Sequence, residues 1–448
     1  MFGRVLVANR GEVAVRVIRA LHELGVEAVA VYSTADADSL HVRMADHAVC
    51  IGPAPASESY LRIPNVVAAA ATTGCEAVHP GYGFLAENPV FVEACVENDL
   101  VFVGPPADVM ARMGDKISAK RAMREASVPT VPGTEGATTV AAAGAAADEI
   151  GYPLLLKASA GGGGKGMRLV HSPDDLEDAF GTAAAEAAAA FGDPTMYVEK
   201  AVVPARHVEI QVLCDGDGGV LTLGERECSI QRRHQKLIEE TPSAALTPEL
   251  REEMEAAAER ACRAVGYHNA GTFEFLLGPD GSFYFIELNA RLQVEHPVTE
   301  LCTGIDLVRE QLRIAAGEPL SLTGRAPRRG HAIEIRVNAE DPEHDFRPTP
   351  GMVSHFRPAQ GPGVRTDTFI EPGTEIPPFY DSLVAKVVVW DADRGAAIAR
   401  ATRALRETVV EGVPSTREFA LRVLASEPFL SGDYSTSTLD GLREQPVA

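Results

Sequence analysis

The sequence predicts a chain that begins α/β and ends α+β, and three observations carry that reading. Over residues 1–113 short apolar runs alternate with helical stripes, the pattern of a parallel, Rossmann-like sheet covered by helices. Over residues 114–330 the strands come in antiparallel pairs, and one strand ends in the glycine-rich stretch SAGGGGKGM. Beyond TGRAPRRG, a basic linker with Pro and Gly that marks a boundary, residues 331–448 read as an α+β cap. A length of 448 residues leaves room for two to four such units.

Composition narrows the function classes. The formal net charge is −22, so the surface repels nucleic acid and acidic membranes, and any phosphate-bearing ligand needs a local basic pocket. No apolar run is long enough to span a bilayer, and MFGRVLVANR enters a strand pattern without an apolar signal region. The seven cysteines are scattered, odd in number and without CxxC spacing, which points to free thiols in a reducing compartment rather than disulfides or zinc. A cytoplasmic location is the expectation.

In the first unit, strands are expected at residues 4–8, 27–32, 48–51, 77–79 and 101–103. Val13, Val17, Leu21 and Leu24 form a helical stripe after the first strand. The first turn, ANRGE, lacks the G-x-G-x-x-G that lets a pyrophosphate approach the backbone, so nothing indicates a nicotinamide or flavin. HPGYGFLAEN, residues 79–88, is either a ligand loop or a connector plugged by aromatics.

The second unit opens with a helix over 116–126, capped by Asp115. Lys116 at its N-terminus opposes the helix dipole, which suits either an external anion or simple solvation. A turn-rich joint and an alanine-rich helix near 138–149 follow. The strand YPLLLKA, residues 152–158, holds Lys157 in an apolar run, where a lysine needs an anionic partner to offset its desolvation. The glycine loop with Lys165 comes next, either a cover for phosphates or a flexible linker. It is not a Walker A loop, because Gly166 stands where Ser or Thr is required. A second alanine-rich helix covers 181–191, and a strand covers 196–203.

A hairpin turning at DGDGG spans residues 205–228. CSIQRRHQKLIEE then gathers Arg232, Arg233, His234 and Lys236, as a basic surface loop or an anion pocket. The helix Pro248–Val265 is amphipathic. Residues 270–277 and 282–289 pair across GPDG, so Glu274 and Glu287 face one cleft; paired carboxylates in an apolar sheet are costly unless they bind a cation. From Ile286 to Glu295 apolar and polar residues alternate without a break. Extended, this segment would align Glu287, Asn289, Arg291, Gln293 and Glu295 on one face. That face is either a set of Mg²⁺ ligands, an oxyanion fork and a candidate base, or the solvated side of an edge strand. A helix ends at Gly317, residues 331–341 form a strand with Glu334 and Arg336 on one face, and a terminal helix is expected near 395–411.

HPGYGFLAEN, MGDK, IQRRHQK, GTFEF, QVEHPVTE and NAEDP occur in one order along the chain. In that order, from ANRGE to PPFYDSL, the chain resembles the biotin carboxylases of the ATP-grasp superfamily. The resemblance implies a Rossmann-like N-terminal domain over 1–113, an ATP-grasp domain over 114–330 with a mobile lid at about 132–202, and an α+β C-terminal domain over 331–448. It implies ATP- and bicarbonate-dependent carboxylation of biotin through carboxyphosphate, the first half-reaction of an acyl-CoA carboxylase, with acetyl-CoA the expected acyl substrate. The implied ATP contacts are Lys116, Lys157, Gly163, Gly164, Met167, Glu199, Lys200, Ala201, Val202, His207, Gln231, His234, Glu274 and Glu287. Glu274, Glu287 and Asn289 would hold Mg²⁺ or Mn²⁺. Bicarbonate would meet Lys236, Arg291, Gln293, the Val294 backbone and Glu295 as base. Biotin would meet Tyr82, Gly83, His234 and Arg336, the last on its enolate oxygen.

Two departures from the family pattern, Ala160 for glycine and Lys165 for arginine, keep the loop cationic and flexible. The chain has no M-K-M biotinylation motif and no recognisable carboxyltransferase segment. The expected partners are therefore a biotin carboxyl carrier protein and a carboxyltransferase component, with a homodimer implied and neither nucleic acid nor membrane. Two rival readings stand beside this one: an ATP-grasp ligase that activates a carboxylate for an amine, and a nucleotide-binding protein without turnover.

Overall fold

The computed structural model describes residues 1–134, 139–158, 167–191 and 195–443. Five parallel strands open the chain, in the spatial order His47–Gly52, Glu27–Ser33, Arg4–Val7, Ala77–His79, Val101–Phe102. The helix Gly11–Glu23 crosses from the first to the second, as its apolar stripe requires. Val13, Val17 and Leu21 on that stripe pack with Leu213, Leu221 and Leu312 further along the chain, so the first unit shares a core with the next.

A nine-stranded sheet forms the centre. Eight strands run in the order Phe283–Asn289, Asn269–Leu277, Arg206–Cys214, Val220–Arg232, Gln235–Thr241, His331–Asn338, Leu383–Asp391, Val364–Thr368. Gly324–Arg325, from the basic linker, pairs with Val220–Arg232. The sheet thus runs through the linker: Gln235–Thr241 lies antiparallel to His331–Asn338, with Ile238 opposite Ile335. Behind this half, Ile333, Ile335 and Val387 pack on Ala397, Ala401 and Leu405 of the helix Arg394–Glu407.

A third, three-stranded antiparallel sheet stands apart, in the order Met167–Val170, Leu154–Ala158, Met196–Lys200. The helices Val140–Ile150 and Leu176–Phe191 back it. Its core is small and its own, built from residues such as Ala143, Ala147, Leu154, Leu156, Ala183 and Val198. It joins the body where Gly133 bridges Glu199 and the Lys200 N–H donates to the Pro132 carbonyl at 2.8 Å.

Two expectations are corrected. The alternating segment is not a strand to its end: the strand stops at Asn289, and a helix, His296–Thr303, begins with Pro297 in its first turn. Between them the polar groups satisfy one another, Arg291 donating to Asn289 Oδ1 at 2.9 Å and to Gln293 Oε1 at 3.0 Å. The terminal helix stops at Glu407, and Val409–Glu411 pairs with His355–Arg357 instead. Thr408, Val409 and Val410 are β-branched and suit a strand better than a helix end.

Candidate active site

Four adjacent strands meet at one level of the central sheet. Arg226 lies opposite Glu209, Glu209 opposite Glu274, and Glu274 opposite Glu287. Directly opposed residues share a face, so the register sets one cation and three carboxylates in a row across the strands. The sequence suggested a row along one strand; the structure builds one across four.

Like charges directly opposed are destabilising, and a buried arginine and a half-buried lysine offset them here. Arg226, fully buried, donates Nε to Glu209 Oε1 at 2.5 Å and Nη1 to Gln211 Oε1 at 2.7 Å. Lys236, from the adjoining hairpin, reaches Glu209 Oε2 at 2.6 Å, Glu274 Oε1 at 2.9 Å and Glu295 Oε1 at 2.6 Å. Burial alone would lower the Lys236 pKa, but these carboxylates hold it well above the ordinary lysine value. Glu274 also faces His207 Nε2 at 2.9 Å and accepts from Gln293 Nε2 at 3.2 Å. Burial works against its charge, and Lys236 and His207 more than reverse that, so Glu274 stays ionised.

The far end of the row is different. Glu287 stands at a cleft, and among the described residues no cation pairs with it. Desolvation and the neighbouring Glu274 raise its pKa. Lys116, Glu87, Met113 and Asn289 line the same cleft, a cavity of about 230 Å³. Asn289 Nδ2 is buried without a hydrogen bond among the described residues, while its Oδ1 keeps a second lone pair beside Arg291. Two adjacent carboxylates, one lacking a counter-charge, and an amide oxygen are the donor set a hard divalent cation takes, so Mg²⁺ or Mn²⁺ fits here.

Glu295 lies at the near end, fully buried. Its Oε2 accepts from Arg336 Nη2 at 2.8 Å, and the same nitrogen approaches Glu239 Oε1 at 2.5 Å. Burial alone would raise the Glu295 pKa; Lys236, Arg336 and Arg226 push it far below the carboxylate range. Arg291 is held by Glu87 Oε2 at 2.8 Å and leaves its fork beside Gln293. The Val294 carbonyl accepts from Lys386 Nζ at 2.9 Å.

The remaining expected residues lie further out. Lys157 has the anionic partner its setting calls for: Glu199, which also takes Lys120. Glu199, Lys200, Ala201 and Val202 follow one another at the edge of the small sheet, and Met167 opens its outer strand opposite Lys157. Gln231 is buried opposite Lys236, whereas His234 sits exposed at the hairpin tip with φ 68°. The Tyr82 hydroxyl is taken by Glu12, and Gly83 is exposed with φ 68°. Gly163 and Gly164 lie outside the described residues.

Arg226, Glu209, Glu87, Lys120, Glu239 and Lys386 were not anticipated. A signal existed for several: Glu209 in HVEIQV and Lys386 in LVAKVVVW are charges in apolar strands, the same desolvation problem that singled out Lys157.

Three family models match the chain: Biotin carboxylase, N-terminal domain over residues 1–110, Carbamoyl-phosphate synthase L chain, ATP binding domain over 115–323, and Biotin carboxylase C-terminal domain over 334–441. The chain is 53% identical over 438 residues to a biotin carboxylase of Nostoc sp., covering 97% of this chain and 98% of that protein. Among solved structures, the biotin carboxylase domain dimer of Hydrogenobacter thermophilus 2-oxoglutarate carboxylase, in complex with MgADP, ADP and bicarbonate, matches with a TM-score of 0.91 and 44% identity over 100% of both chains. The biotin carboxylase subunit of a pyruvate carboxylase matches with a TM-score of 0.89 and 42% identity, again over 100% of both chains.

Proposed function

The chain belongs to the biotin carboxylase family of ATP-dependent ligases, and from that premise we propose that it carboxylates biotin borne on a separate carrier protein, through carboxyphosphate. The observation that supports this most is the placing of Lys236 between Glu209, Glu274 and Glu295, with Arg336 on the far side of Glu295. One side-chain cluster thereby holds an anion-attracting ammonium, a carboxylate base and a guanidinium beside the Mg²⁺-fitting pair.

ATP enters the cleft lined by Lys116 and Glu287, and Lys157 supplies a further cation for its phosphates. Mg²⁺ on Glu274, Glu287 and Asn289 would neutralise charge building on the phosphates. Bicarbonate binds at Lys236, Arg291, Gln293 and the Val294 backbone. In the ion-paired state Glu295 is a weak base. An anion arriving at Lys236 draws positive charge away from Glu295 and raises its proton affinity, so the substrate prepares the base that deprotonates it. The bicarbonate oxygen attacks the γ-phosphorus, ADP leaves, and carboxyphosphate forms. Its breakdown gives CO₂ and phosphate. Phosphate removes the proton from the biotin ureido nitrogen, the nitrogen attacks CO₂, and Arg336 stabilises the enolate oxygen in between. Tyr82, Gly83 and His234 border the biotin.

The chain acts as a homodimer with a carboxyltransferase component that selects the final acceptor, for which acetyl-CoA is the first choice. A keto acid is the second reading, favoured by the pyruvate and 2-oxoglutarate carboxylases among the similar structures. ADP release tests the activity: it should require bicarbonate and rise with free biotin. Release that depends on an amine instead, or ATP binding without turnover, would favour the rivals.

A further inference from the structure

We propose that Lys386 is a positioning residue for the base segment, and that Glu12 links it to the loop bearing Tyr82. This rests on reading residues 293–295 as the bicarbonate and base segment. Lys386 is fully buried in the strand Leu383–Asp391, between Arg336 on one neighbouring strand and Asp367 on the other. Its Nζ donates to the Val294 carbonyl at 2.9 Å, pairs with Glu12 Oε1 at 3.1 Å and lies 3.8 Å from Asp367 Oδ2. Burial lowers its pKa, and Glu12, Glu334 and Asp367 more than restore it, so the ammonium stays charged.

The Val294 carbonyl shares a rigid peptide plane with the Glu295 N–H. Holding that oxygen therefore fixes how Glu295 leaves the chain. Nothing regular does so: the strand ends at Asn289 and the helix begins at His296. The Gln293 carbonyl, which the His296 N–H meets at 3.3 Å and His296 Nδ1 at 2.8 Å, and the Glu295 carbonyl, which accepts from the Val298 N–H at 3.4 Å, are further pins.

Glu12 extends the hold. It stands in the first turn of Gly11–Glu23, within the ANRGE motif that has no phosphate-binding fingerprint. Its Oε1 takes both Lys386 and the Tyr82 hydroxyl, and its buried Oε2 has no hydrogen bond among the described residues. One carboxylate thus joins the expected biotin loop to the expected bicarbonate segment. A displacement at Tyr82 reaches Val294 through two side chains.

The test uses the full chain with ATP, magnesium and bicarbonate, and follows ADP release. Removing Lys386 alone leaves the buried Glu12 carboxylate without its cation, whereas Asp367 keeps Arg365, so Lys386→Met is combined with Glu12→Gln. Glu12→Gln alone keeps shape and fold and decides the matter if the pair does not fold. The combined variant should raise the KM for bicarbonate about 10-fold or more, the size of a lost charge-assisted hydrogen bond, with the KM for ATP within about twofold. Glu12→Gln should shift the bicarbonate KM the same way by a smaller factor. An unchanged bicarbonate KM in folded variants, or equal rises for ATP and bicarbonate, would reduce Lys386 to a purely structural group and overturn the proposal. Wild-type protein that releases ADP without regard to bicarbonate would instead sink the function on which it rests.

Discussion

Glu239 and Glu295 share one guanidinium and titrate in opposite directions. At Glu239 burial outweighs Arg336 and pushes the carboxyl up to about 7; at Glu295 burial loses to Lys236 and two arginines. An acid whose folded pKa lies above its unfolded one binds more protons when folded. Its stabilising share is complete below the ordinary value of 4.5 and is lost as pH rises toward about 7. Glu239→Gln should therefore flatten the fall in Tm across that window relative to wild type. Identical pH profiles would mean that Glu239 titrates normally. Glu287→Gln should raise the magnesium concentration for half-maximal ADP release about 10-fold or more, since it removes one of two charges at the cation site. Full activity at limiting magnesium would remove Glu287 from the ligand set. At this scale the sequence singled out the polar side chains from Glu287 to Glu295 because they lie close together in the chain. It was silent on Arg226 and Glu239, whose meaning depends on residues far away in the chain.

Elements with strong local signals were readable almost to the residue. Pro248–Val265 carries Thr247 as a side-chain cap and Gly266 in the left-handed region at its end, and both are sequence signals. Residues 290–295 were not readable, because period two describes a pleat and a polar-satisfied turn equally well. The small sheet over 154–200 has its own core and meets the body through Gly133, Lys200 and the Glu199 ion pairs. Such a unit is suited to move as a lid. Hydrogen exchange in Met167–Val170 and Val140–Ile150 should slow when ATP and magnesium are added. Equal protection with and without nucleotide would argue against closure.

The second and third units are tied together by one sheet that takes in the linker. Glu240, fully buried, meets His331 at 2.6 Å, Arg394 at 2.9 and 3.0 Å, and the Tyr434 hydroxyl, all from beyond residue 330. A chain ending at residue 330 would leave that charge unpaired and bare the edge of Gln235–Thr241. It should fail to unfold cooperatively; a soluble, cooperative fragment would show the third unit to be dispensable. The strand after the linker was legible, but Gln235–Thr241 was read only as a basic loop or anion pocket, and the pairing of the two was not legible, because register between strands so far apart in the chain is a long-range fact. The same holds for the row from Arg226 to Glu287, which exists only once four strands are aligned.

In the proposed mechanism Glu295 and Arg336, in contact at 2.8 Å, serve successive steps. The measurement that bears on it most directly follows ADP release and carboxybiotin formation in parallel, for wild type, Glu295→Gln and Arg336→Ala, with folding checked because both side chains belong to a buried network. Glu295→Gln should lower both rates together by about 10²–10⁴-fold, the usual worth of a general base. Arg336→Ala should lower both, since it also touches Glu295, but carboxybiotin formation by the larger factor. Equal loss of the two rates in Arg336→Ala would contradict a separate role on biotin and place that arginine with Arg291 in the bicarbonate site.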